Sequence, residues 1–462
     1  MLALLIVPCL FMIILPRIPA TWLKPAFVTM ALADLLLALG ALAPGNVIHV
    51  AWWPQLGLNL SLGVTPYNQP LLWLNALVLL SSAWTANRGN AWSPLSKGSI
   101  FWLTVAYVGV SLAFLSQNVL LYFVGFEMAV LPFFLLVRKD GGENRRVAAF
   151  YFLGFSAVAG MMLLAAVLTL VVHHVTGFHA NHPVSVPVQF VVYLLLLATW
   201  AIKTPLWPFH LWLPKTHGEA STPASMYLSG VALKVAPYGF LLFSGILPAA
   251  RHQASPFLAV WGGITLLAGS LLALGQRDLK QTVAQSSIAS MGYVMIALSL
   301  GTRAGDQAAV LVMVGHGLAS PLLFWIAGQV QKIQHSRQLD DLPGLYRKDP
   351  LLVTFLTAAA FAYMGIPGLA LFPGEFGVIL VALKHAPLTL YLIAPAIVIM
   401  AATWLRILAR ARFGGTETDG SFDSLSAVRQ ESWSGLWLSV PLVLVGLIPE
   451  WWIHLWRWGG LR

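Results

Sequence analysis

Four ionisable side chains, Glu127, Lys203, Lys234 and Glu375, sit inside apolar runs long enough to be membrane helices. A charge near the centre of such a helix costs roughly 2.5–3.5 kcal/mol even on the mildest scale, so each needs a partner, a water path or a task. Two are acids and two are bases. Lys203 is followed by Pro205 and Pro208, and Glu375 is preceded by Pro373 and Gly374. Acids and bases beside helix breaks are the composition expected of a proton or ion relay. His316, between Gly315 and Gly317 on an apolar face, adds an imidazole that exchanges a proton near neutral pH.

Each of these residues also has a plainer reading. Glu127 can serve a structural pair, and Lys203, beside a break, can snorkel from a helix end. Lys234 lies in mid-span and is harder to excuse. Glu375 can cap the half-helix that begins after Pro373, where a carboxylate is favoured by roughly 0.3–1 kcal/mol. His316 can be a satisfied core histidine. Asp34, well inside a second apolar run, is expected to be paired or to act as a local cap, and Lys384 to mark a helix end.

The elements that would hold them follow from composition. With 58% hydrophobic residues, 9% charged residues and a mean hydropathy of +0.79 over 462 residues, the chain has too few charges to cover a soluble globule. It reads as an all-α polytopic membrane protein. Some fourteen spans are expected, near 1–16, 25–42, 69–86, 99–116, 118–137, 147–172, 186–205, 222–246, 256–275, 281–300, 308–330, 351–381, 388–408 and 434–456. The first lacks a basic n-region and a clear cleavage site, and reads as a retained helix rather than a signal peptide.

Alternating the loops puts nineteen of the 26 Lys and Arg on one side and five on the other, with Lys203 and Lys234 inside helices. Under the positive-inside rule the crowded side is cytoplasmic and both termini face outward. The net charge of +10 then reports topology rather than a nucleic-acid partner. Cys9 is the only cysteine, which excludes an internal disulfide and a cysteine-ligated iron–sulfur cluster on this chain. His173, His174, His179 and His182 share one outer loop. They suit a solvated loop better than a metal site, and no metal is expected.

Two spans break. Pro205 and Pro208 cannot both keep a helix running past Lys203, and Gly365-Ile366-Pro367-Gly368 with Pro373-Gly374 interrupts the run before Glu375. The breaks fall in helices seven and twelve. Five helices is an odd number, so the two copies of such a repeat enter the membrane from opposite sides. The expected organisation is helices 1–3 over residues 1–98 and a first five-helix repeat (helices 4–8) over 99–250. A second, inverted repeat (helices 9–13) then covers 251–415, and helix 14 covers 416–462.

The run from Lys203 to Ser225, with Leu233-Lys234, Tyr238-Gly239, Asp278-Leu279-Lys280, Ser286-Ser287-Ile288, Met313 to Gly317 and Gly374-Glu375-Phe376, resembles the antiporter-like membrane subunits of complex I. These are related to multisubunit cation/proton antiporters and membrane-bound hydrogenases. Gly141-Gly142-Glu143-Asn144-Arg145 and a glutamate in helix twelve are most similar to the M-type branch of bacterial NADH–quinone oxidoreductase. Nor does the chain show the long lateral helix of the L-type subunit. The resemblance implies a relay in which Glu127 pairs with Lys203, and Lys234, His316 and Glu375 continue a hydrated path along the membrane mid-plane. It implies no cofactor on this chain, with flavin, iron–sulfur clusters and quinone on partner subunits. It also implies neighbouring antiporter-like subunits and a place in the bacterial inner (plasma) membrane. The alternatives are a subunit of a Na⁺(K⁺)/H⁺ antiporter, or of a hydrogenase-linked, ferredoxin-linked or CO₂-uptake complex. Three departures stand out: Ser290 replaces a family histidine, Lys215 stands where an acid or neutral residue is usual, and Ser221 where proline is.

Overall fold

The computed structural model describes residues 1–40, 47–53, 58–86, 96–178, 184–413 and 425–449. In chain order the elements are α1 (Ala3–Ile14), α2 (Leu23–Gly40), β1 (Val47–Trp53), β2 (Leu58–Gly63), α3 (Gln69–Thr85), α4 (Lys97–Leu115), α5 (Val119–Met128), α6 (Val130–Asp140), α7 (Arg145–Val172) and α8 (Val186–Lys203). There follow α9 (Trp212–Glu219), α10 (Thr222–Tyr227), a π-helical turn (Leu228–Ala232), α11 (Leu233–Ile246), α12 (Pro248–Leu274), α13 (Leu279–Ser299) and α14 (Arg303–Gln334). The chain then forms α15 (Leu345–Lys348), α16 (Pro350–Tyr363), α17 (Leu371–His385), α18 (Leu390–Arg412) and α19 (Leu425–Leu447).

Local chemistry sets many of these boundaries. Side chains of Ser96, Asn118, Asp278, Thr302 and Asp349 accept from the first free N–H groups of α4, α5, α13, α14 and α16, as helix N-caps do. Pro132 has no N–H for the carbonyl of Met128 four residues back, and the helix is interrupted between α5 and α6 at Ala129.

Among the described residues nine helices are long and apolar enough to cross a membrane, and Ala3–Arg17, Pro350–Tyr363 and Ser434–Leu447 are shorter apolar helices. The expected run 351–381 is split between α16 and α17. The run 281–300 forms α13, whose Gln285, Ser286, Ser287 and Ser290 are all buried; this inward polar face lowers its hydropathy. Residues 450–456 of the last expected span, and Arg88, Arg457 and Arg462, lie outside the described residues.

The purely helical expectation needs one correction. Strands β1 and β2 pair antiparallel, with Val47 opposite Gly63 and Val50 opposite Leu60. Leu58, Leu60 and Leu62 alternate with Asn59 and Ser61, the period of a strand rather than a helix.

α14 runs through the middle, buried over most of its length, against α3, α10, α13, α16, α17 and α19. Side chains such as Phe150, Leu194 and Tyr391 stay exposed on the outside, an apolar surface suited to lipid. Contacts between loops join loops of the same expected side. Lys97 Nζ donates to Pro16 O at 2.6 Å, Asn144 N to Glu219 Oε2 at 3.0 Å, and Arg410 Nη1 to Asp340 Oδ1 at 2.6 Å. On the opposite side, Arg251 Nη2 donates to Asp306 Oδ1 at 2.8 Å, and Leu62 bridges to Ser116.

Candidate proton-relay site

α8 ends at Lys203. Its last carbonyls do not go unpaired: Trp200 O accepts from Thr204 N at 2.7 Å, Ala201 O from Leu206 N at 2.8 Å, and Ile202 O from the Trp212 indole at 2.7 Å. The terminus is thereby locked, and the lysine turns inward instead of snorkelling. Its Nζ donates to Ser156 Oγ on α7 at 2.8 Å and lies 5.3 Å and 5.2 Å from the ring centres of Phe126 and Phe152, within cation–π range.

Glu127 reaches the same helix. A Cβ built on Gly160 would collide with Glu127 Oε1, so the carboxylate lies directly over that glycine, and Oε1 is buried with no hydrogen-bond partner. Ser156 and Gly160 are one turn apart on α7, roughly 6 Å along the axis. The expected Glu127–Lys203 pair is therefore an indirect one. Their charges interact, but among the described residues no ion pair joins them; α7 holds each at its own turn.

Beside Lys203 lies a cavity of about 30 Å³, lined by Phe126, Phe133, Phe152, Trp212, Leu233 and other apolar groups, and not by Lys234 itself. Such a space has room for little water and few groups to hold it. Beyond it the chain enters the π-helical turn, a feature common at functional positions. There Lys234, fully buried, donates to Ser229 O in a short bond, and its Nζ is 2.6 Å from His316 Nδ1. If the ammonium donates, Nδ1 must be bare and the ring hydrogen is on Nε2. Nε2 has no partner among the described residues, which leaves it poised to donate onward. Of the two ring nitrogens, then, one meets a buried lysine and the other has no partner among the described residues.

Ser229 and Ser320 escaped the sequence reading, and Ser287 entered it only as part of the family motif. Ser229 Oγ is 2.5 Å from Ser320 Oγ and 3.4 Å from Ser287 Oγ, and Ser287 Oγ is 3.2 Å from Ser320 Oγ. Isolated serines in apolar helices carry no signal until three helices bring them together. The Tyr363 hydroxyl lies close to Ser287, Ser290 and Ser320, though with no fully formed bond. It borders a cavity of about 90 Å³ lined by Ser290, Tyr293, Gly365 and Glu375. Gly365 has φ +68, a left-handed turn that glycine adopts without strain, and it separates α16 from α17. Glu375, 9% exposed, is the fifth residue of α17, past its first turn, and α17 has no side-chain cap bond, so the expected capping role is not met. Ser290 therefore faces the space in which a histidine is missing.

One further group was misplaced from sequence and another was not singled out. Lys280, counted among the loop cations, is buried and donates to Ala220 O. His217 is fully buried with neither ring nitrogen partnered, its ring stacked 4.4 Å from Phe324. Asp278 caps α13 and binds Arg337, whose Nη1 reaches Gly218 O at 2.8 Å, and these contacts turn Lys280 inward. Asp34 is neither paired nor a cap: both its oxygens are buried without a partner. Lys384 does lie in the last turn of α17. The Lys215 ammonium sits 3.6 Å from the Tyr151 ring centre, and Ser221 precedes α10 without a side-chain cap bond. His173 and His174 are exposed at the end of α7, and His179 and His182 lie outside the described residues.

The chain resembles known proteins over most of its length. A family model described as NADH:quinone oxidoreductase/Mrp antiporter, TM matches residues 116–400. The chain is 34% identical over 423 residues to NAD(P)H-quinone oxidoreductase chain 4 1 of Synechococcus sp. (strain JA-2-3B'a(2-13)), covering 87% of this chain and 78% of that protein. It is 32% identical over 425 residues to the chloroplastic NAD(P)H-quinone oxidoreductase chain 4 of Chaetosphaeridium globosum, covering 88% and 83%. Among solved structures, a chain of respiratory complex I from Thermus thermophilus with bound NADH superposes with a TM-score of 0.85 at 23% identity over 98% of both chains. A chain of the Mrp complex from Dietzia sp. DQ12-45-1b gives 0.84 at 25% identity, over 98% of this chain and 51% of that one.

Proposed function

This chain belongs to the NADH:quinone oxidoreductase/Mrp antiporter family of membrane subunits, and we propose that it relays protons as the chain 4, or M-type, subunit of a respiratory NADH–quinone oxidoreductase. The observation that carries the reading is the join at Lys234. The fully buried Lys234 Nζ contacts His316 Nδ1 on one side and the backbone carbonyl of Ser229 on the other, and the Ser229 hydroxyl itself meets those of Ser287 and Ser320. Tyr363, close to that serine cluster, also lines a mostly apolar cavity that holds Ser290, Tyr293 and Glu375.

The relay reads as follows. A negative Glu127 supports an ammonium on Lys203. Neutralising Glu127 leaves that ammonium with one hydroxyl and two ring faces, and its proton moves toward Lys234. The 30 Å³ apolar cavity is the slow point of this step, because water must enter before a proton can cross. Lys234 then hands a proton through His316 Nε2, or along the serine hydroxyls, to the Glu375 cavity. His217 is near enough to Lys280 and Lys234 to feel both charges, and Lys280 with His217 suits a proton entrance. None of this requires a redox centre on the chain; electron transfer to quinone would occur on partner subunits and reach Glu127 as a change of charge or shape.

The same reading takes fourteen spans with two inverted five-helix repeats, helices 4–8 and 9–13, a bacterial inner membrane and outward termini. Lys234→Met in the intact complex tests the function: proton pumping should fall to a small residue while assembly survives, and unimpaired pumping would end the proposal. Antiporter relatives keep a second reading alive, exchange of Na⁺ or K⁺ for H⁺. Recovery of only small membrane subunits with this chain from gently solubilised membranes would favour it.

A further inference from the structure

α2 carries one ionisable side chain in its interior. Asp34 is the twelfth of its 18 residues, roughly 16 Å and 9 Å from the two ends at 1.5 Å per residue. It is 0% exposed, neither carboxylate oxygen has a hydrogen-bond partner, and among the described residues no ion pair includes it. An ionised carboxylate here would lose its hydration with nothing in return, at several kcal/mol. A neutral carboxyl avoids most of that cost.

Asp34 also stands at the head of a polar line. The buried Tyr107 hydroxyl on α4 is near enough to feel its charge and lies close to Ser111 one turn further on, without a fully formed bond. Ser111 Oγ accepts from Asn75 Nδ2 at 2.9 Å, and Asn75 Oδ1 accepts the Tyr227 hydroxyl in a short bond. Tyr227 is the last residue of α10, directly before the π-helical turn that positions Lys234. Asn75 offers a donor to one neighbour and an acceptor to the other. Its amide therefore passes on orientation and not a proton.

We infer that Asp34 is a proton-binding site off the main path, whose occupancy sets the direction of the Tyr107, Ser111, Asn75 and Tyr227 hydrogen bonds and through them the geometry around Lys234. One carboxylate oxygen takes up one proton from the aqueous phase, and no other bond changes. When the proton leaves, the carboxylate draws the Tyr107 hydroxyl away from Ser111. Asn75 then loses a fixed acceptor, and Tyr227 is free to let the π-helical turn shift. The consequence for pumping rests on the relay proposed above; the protonation rests on the surroundings of Asp34 alone.

The test uses the whole purified complex, with infrared spectra in H₂O and D₂O alongside the number of protons pumped per quinone reduced. Asp34→Asn should remove one carboxylic-acid carbonyl band and lower the yield about fivefold, the low end of coupling between two sites. Tyr227→Phe should shift that band without removing it. A spectrum unchanged in Asp34→Asn means an ionised aspartate and overturns the inference. Loss of the band with a native yield means an inert buried acid and overturns it as well. If Asp34→Asn does not assemble, an unshifted band and native yield in Tyr227→Phe overturn it. Full pumping by Lys234→Met would sink the relay but leave the Asp34 band to be judged alone.

Discussion

Lys203 and Ser156 meet at 2.8 Å, Nζ to Oγ, and this bond holds the lysine one turn of α7 away from Glu127. Lys203 is thus held by a neutral hydroxyl, and the carboxylate acts on it from a distance. An interaction of that kind can be strengthened or weakened by a small movement of either group, which a direct ion pair resists.

Ser156→Ala should free the ammonium. Loss of a hydrogen bond to a charged group is worth roughly 1.5–3 kcal/mol, so the pumping rate is expected to fall about tenfold or more while the partner subunits still reduce quinone. Ser156→Thr, which keeps the hydroxyl, should recover most of it. Proton uptake in reconstituted vesicles measures both.

Gly160→Ala puts a methyl group where Glu127 Oε1 now lies. The carboxylate must move, and the variant should behave like Glu127→Gln. Combining the two should add little, because residues sharing one contact are not additive. Full additivity in the pumping rates would show that Gly160 does not position Glu127.

His316→Gln keeps a polar group against Lys234 but cannot carry a proton at neutral pH. A positioned acid–base group contributes roughly 10²–10⁴-fold, so a loss of about a hundredfold is expected with the complex intact. His316→Ala should in addition lower thermal stability, since it strips a partner from a buried charge at a cost of roughly 3–5 kcal/mol. Equal stability of the two variants would argue that the 2.6 Å contact carries no energy.

Ser290 separates a water path from a side-chain path. Ser290→Ala leaves the cavity of about 90 Å³ open and should cost no more than about twofold in rate. Ser290→Leu fills the space that water needs and should slow pumping about tenfold or more. The opposite ranking would mean that the serine hydroxyl itself is the link.

Arg251→Ala addresses stability alone. Arg251 Nη2 binds Asp306 Oδ1 at 2.8 Å and Leu298 O at 2.9 Å, with both charged side chains mostly buried. Removing it abandons Asp306 and should destabilise by roughly 2–3 kcal/mol, read as a lower unfolding temperature. Arg251→Met with Asp306→Leu should restore part of the loss.

Much of this protein was legible from residue type and order. The bilayer excludes unpaired charge so strongly that Glu127, Lys203, Lys234 and Glu375 could be picked out from composition alone, and proline's missing N–H marked both helix breaks. The Lys203 to Ser225 run carried the family. Local order could not give partners. Ser156 and Gly160 matter because α7 crosses both Glu127 and Lys203, and the serine trio exists only where Ser229, Ser287 and Ser320 converge from residues far apart in the chain. Lys280 looked like a loop cation until Arg337 and Asp278 turned it inward, and Asp34 looked paired until packing left it alone. An apolar run reports a free energy summed over a helix, which sequence preserves; which hydroxyl faces which ammonium depends on helix rotation and crossing, which tertiary packing decides.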